Sequence, residues 1–97
     1  MFDETKIVLE KAFKIGKILF SLGGERYSLL LKATSAIKPP TRDELTKYII
    51  NGISLEEAIA IEMKNRYKEA ALSAGFDEKH GIAMLEYAVL LQEMRDK

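Results

Sequence analysis

Few side chains in this 97-residue chain could do chemistry, and their spacing limits what that chemistry could be. Cysteine is absent, which removes thiol catalysis, disulfides, iron–sulfur clusters and cysteine-ligated zinc. The sole histidine, His80, follows Asp77 and Glu78 at the start of an apolar periodic segment. General acid–base work there would need a partner, with Glu86 or Tyr87 the candidates, and a pocket. The spacing implies neither, so His80 is expected to cap or pack, its pKa lowered by a helix N-terminus. Glu56, Glu57, Glu62 and Glu69 stand among alanines in a segment that also holds Tyr67. A di-iron centre in a helical bundle needs inward glutamates and Glu-x-x-His pairs, and the chain contains no Glu-x-x-His. Glu62 and Glu69 are expected on the face opposite the core. Gly23-Gly24 opens a helix, where an anion could be cradled, but no phosphate-loop lysine and hydroxyl accompany it. The residues therefore predict no catalytic, cofactor or metal site, and a protein that is not an enzyme.

Charge is balanced, with 15 basic and 15 acidic side chains. Strong non-specific nucleic-acid binders usually carry a basic excess. The distribution is uneven: residues 1–40 carry seven basic and four acidic groups, residues 41–97 eight and eleven. A lysine row on the first helix, Lys6, Lys14 and Lys17, is the alternative surface for nucleic acid. Residues 44–64 have the outline of a helix-turn-helix, and Asn51-Gly52-Ile53-Ser54 with the residues that follow is similar to turns of some bacterial regulators. A recognition helix presents its N-terminal side chains to the groove. Here that end carries Glu56 and Glu57, which phosphates repel, so nucleic acid is not the expected partner.

Elements that must position these groups are marked by Gly23-Gly24, Pro39-Pro40, Gly52 and Gly75. Between the breaks, apolar residues recur at three- and four-residue spacing, which predicts helices and no strands. The expected helices run over residues 3–22, 25–37, 42 to 50 or 51, 55–74 and 78–96. Thr41 with Glu44, and Ser54 with Glu57, have the capping-box spacing, and Asp77 is placed to cap the last helix. The expected fold is all-α: a compact single-domain bundle of four to five mostly antiparallel helices, the first and fourth paired and the last against them. No apolar run approaches the roughly 20 residues of a membrane span, and the acidic start lacks signal-peptide order. The cysteine-free composition suits a reducing cytoplasm, and scarce amides with abundant Lys, Glu and Ile resemble heat-adapted proteins.

The first helix is apolar over most of its circumference, with a core face expected at Val8, Leu9, Ala12, Ile15, Gly16, Leu19 and Phe20. The last helix shows one stripe through Ala83, Tyr87, Leu90, Leu91 and Met94 and another through Ile82, Leu85 and Val89. A peripheral helix needs only one. Surplus apolar surface predicts a homo-oligomer or a helical protein partner, with Ile82, Leu85, Val89, Ile7 and Ile18 as contact residues.

Overall fold

A computed structural model describes the backbone of residues 2–96 and the side chains of residues 9–96. The described residues form an all-α bundle of five helices: α1 (Phe2–Phe20), α2 (Gly24–Ser35), α3 (Arg42–Ile50), α4 (Leu55–Ser73) and α5 (Glu78–Arg95).

Local chemistry sets the helix ends. Thr41 and Glu44 form a reciprocal capping box: the Glu44 amide donates to the Thr41 hydroxyl at 3.3 Å, and the Thr41 amide donates to the Glu44 carboxylate at 3.0 Å. At α4 only half of the expected box forms, with the Glu57 amide donating to Ser54 Oγ at 3.2 Å. Gly52 and Gly75 hold φ of +84° and +87°, a region open to glycine at little cost. Each closes a Schellman motif: the Phe76 amide reaches back to the Ala71 carbonyl at 2.8 Å, and that of Ile53 to Tyr48 at 3.0 Å. α2 ends where Thr34 and Ser35 turn their hydroxyls back onto the Leu30 and Leu31 carbonyls.

Packing differs from the expected pairing. α1 and α4 do not touch among the described residues; α5 lies between them and also meets α2, while α4 takes α3 and α2 on its other sides. The core gathers Ile15, Leu19 and Leu22 with Leu30, Ala71, Phe76, Ala83 and Met84. Three assignments of face are corrected. On α1, Ile15 and Leu19 are buried, but Leu9, Phe13 and Phe20 face outward, because α5 covers only one flank of a helix that is apolar nearly all round. On α4, Glu62 and Arg66 turn toward α3 and the link before it rather than to open solvent. The spacing of α4 also predicts Ile59 and Ala60 on the core face with Ala71; Ala58 and Ala71 are buried, but Ile59 and Ala60 are exposed.

The bundle is flat, about 41 × 39 × 19 Å, with a radius of gyration of 14.8 Å; about 12.5 Å is usual for this length. Its accessible surface is 7436 Å² for 11.0 kDa. A monomeric globular protein of that mass exposes about 5,600 Å².

Candidate interaction surface

Where α1, α2 and α5 diverge, they leave an apolar groove of about 510 Å³. α1 supplies Ile15, Gly16, Leu19 and Phe20 to its wall, the Gly23-Gly24 link closes one end, and Tyr27, Tyr87 and Leu90 complete it. Among the described residues its lining is apolar apart from the hydroxyls of the two tyrosines.

Outside the groove the apolar surface continues along two helices. Leu9, Phe13 and Phe20 lie four and seven residues apart on α1, and are 57%, 73% and 89% exposed. Tyr87, Leu91 and Met94, at the same kind of spacing, extend the α5 side, with Met94 63% exposed. Residues at these spacings share a helix face, so α1 and α5 each carry an exposed apolar row. Single exposed apolar residues are ordinary, whereas large contiguous apolar patches are common at interaction sites.

The residues singled out from sequence for an interface fall differently. Ile18 is partly buried and packs against the core. Ile82 and Leu85 are half-buried within the chain, and Val89 is exposed. The side chain of Ile7 lies outside the described residues, as does that of Lys6. Lys14 and Lys17 are exposed. By periodicity Phe20 falls on the core face with Ile15 and Leu19, and Phe13 falls beside it. The available signal was the width of the apolar arc, too broad for one neighbour to cover.

A polar clamp holds the opposite side of the molecule. Tyr48 donates to Glu62 at 2.6 Å, Lys47 lies 3.4 Å from the same carboxylate, and Arg66 Nε pairs with it at 3.5 Å. Arg66 also donates to the Lys38 carbonyl at 2.7 Å and pairs with Glu44. The Tyr48 hydroxyl bond holds the Glu62 carboxyl below its ordinary pKa, and the same bond raises that of Tyr48. Hydrogen bonds from the Thr41 amide and hydroxyl lower Glu44. Every charge here has a partner from a neighbouring element or turn, so the cluster fastens α3 and the preceding link to α4. α3 and α4 are joined by the Gly52 turn, and Glu56 and Glu57 are exposed at the start of α4.

His80 is buried, and its Nδ1 accepts from the Asp77 amide at 3.3 Å. Its ring meets Phe76 edge-on, with centroids 5.9 Å apart, and Arg26 stacks over the other aromatic partner of that pair at 4.9 Å. An accepting Nδ1 puts the proton of the neutral ring on Nε2. Burial, then the nearby Lys79 charge, push its pKa down. The expected capping and packing role is what this geometry supplies. Among the described residues, no three His, Asp or Glu side chains gather as a metal site would need, and no helix is long and apolar enough to cross a membrane.

Comparison of the chain with protein-family models, with curated proteins and with solved structures finds no match.

Proposed function

We propose that the protein is a small non-catalytic assembly module that self-associates through the apolar surface of α1 and α5. The single observation carrying this reading is the row of Leu9, Phe13 and Phe20 left uncovered beside an apolar groove. The amount of surplus surface supports a second copy as the occupant. The 7436 Å² exposed exceeds the area expected for a lone globular chain by about 1,800 Å². Obligate homodimers bury about 1,000–2,500 Å² from each partner, so one further copy of this chain accounts for the difference. Most such oligomers are closed twofold dimers in which the same patch meets itself, and a patch of uncharged side chains suits self-contact better than a charged one. A reducing, cytoplasmic setting fits a chain without cysteine.

Light scattering across concentration tests the proposal. The expected mass is twice 11.0 kDa, falling toward one copy on dilution and holding from low to high salt, since apolar contacts are little screened. A mass of one copy at several hundred micromolar chain would overturn it.

A further inference from the structure

We infer that the second copy lays its own α1 across this α1, the two helices crossing at Gly16 about a twofold axis, an arrangement that rests on the self-association proposed above. Two glycines sit inside helices in this chain, Gly16 and Gly81, away from the turns. Glycine there is unfavourable relative to alanine, so each calls for a local reason. Gly81 has its reason within the chain. A Cβ at that position would meet the Tyr67 carbonyl carbon at 2.8 Å and the Ala71 methyl at 3.0 Å.

Gly16 has no such reason. A Cβ there would meet only the edge of the Phe20 ring, at 3.7 and 3.8 Å, which is ordinary contact. Its φ is not positive, unlike those of Gly23, Gly52 and Gly75. Yet Gly16 lines the groove midway between Phe13 and Phe20, both largely exposed. A missing side chain at the centre of an exposed apolar face admits another backbone closely. Antiparallel pairing about a twofold axis at residue 16 also matches sizes. Each residue then faces the one equally far on the other side of Gly16, so Phe20 of one copy lies over Ala12 of the other. Phe13 falls one residue from that pairing, which brings it beside the same Phe20.

The absence of cysteine makes the test direct. A Gly16→Cys chain carries one thiol, and thiols bridge only when their Cα atoms come within about 4.4–6.8 Å. Under mild oxidation Gly16→Cys is expected to form a covalent pair rapidly, while Lys32→Cys, on an exposed position of α2, forms it slowly. Gly16→Leu is expected to keep its helicity by circular dichroism and to weaken association about a hundredfold. Failure of Gly16→Cys to outpace the control, or wild-type affinity in Gly16→Leu, with the unchanged chain still at twice its mass, would overturn the crossing point and leave self-association standing. Loss of helicity in Gly16→Leu would show that the space is needed within one chain, and would overturn the crossing point too. A single-copy mass for the unchanged chain removes both readings.

Discussion

α5 has two different flanks. Against α4 the contact is close and complete: Gly81 lets the two backbones approach, Ala71 and Ala83 are buried, and Leu30 from α2 is fully enclosed. On the α1 side, Ile15, Leu19 and the half-buried Leu90 join the core, while Phe13 and Phe20 stay outside. Small residues produced the finished flank, because they allow backbones to close until no gap remains. Large residues spread around a helix with a single long neighbour produced the open one. The α4 flank is closed within the chain, while the α1 flank leaves large apolar side chains exposed.

The steepest test of this contrast is Gly81→Val. Its side chain has no room against Tyr67 and Ala71, and overpacking against backbone costs about 3 kcal/mol. For a domain of this size that lowers the melting temperature by about 15 °C. A melting temperature equal to that of the unchanged chain would show that the finished flank is looser than described.

Next in size is Phe13→Lys with Phe20→Lys on the open flank. Burying one phenylalanine is worth about 2 kcal/mol, and a twofold dimer loses each of them twice. Dissociation constants measured by sedimentation should rise at least a hundredfold, while the helicity of the separated chain is kept. Collapse of the fold itself would mean that these side chains belong to the core after all.

A smaller effect is expected at the clamp. Tyr48→Phe removes the 2.6 Å bond to Glu62 but leaves Lys47 and Arg66 in place. The expected cost in urea unfolding is about 1 kcal/mol, with no change in association. A cost shared equally by folding and dimerisation would break the separation between the two sides of the molecule.

The smallest is pH dependence at His80. Its folded pKa lies below the ordinary 6.5, so on acidification the unfolded chain takes up a proton before the folded one does. Stability is therefore full above pH 6.5 and falls as pH drops toward the folded pKa. Glu62, also lowered in the folded chain, contributes in the same direction at more acid pH, below its ordinary 4.5. His80→Gln keeps an acceptor for the Asp77 amide and removes the upper part of the slope. An unchanged profile in that variant would refute the assignment.

Much of the scaffold was legible residue by residue. Thr41 and Glu44 announce the start of α3 because the box is complete within four residues, and Gly52 and Gly75 announce the ends of α3 and α4 because the left-handed turn suits little else. His80 as a capping residue was legible for the same reason. The exposed apolar surface was only half legible. A surplus of apolar residues on α1 and α5 could be counted, and Val89 is exposed as read, but the exposure of Phe13, Phe20 and Met94 depends on where the neighbouring helices lie. Gly81 went unread, although a glycine inside a helix signals close approach.

What the sequence determined by itself is the succession of five helices and their caps, since those depend on side chains bonding to backbone a few residues away. What only the tertiary structure decided is which side of each helix is inside. On α1 the apolar arc is so wide that Ile15 and Phe20 are equivalent by periodicity. The position of α5, between α1 and α4, separates them. On α4, Glu62 reads as a solvent residue until Tyr48 and Arg66 close around it. A helix face is assigned by its neighbours, and neighbours come from contacts far apart in the chain that no local pattern records.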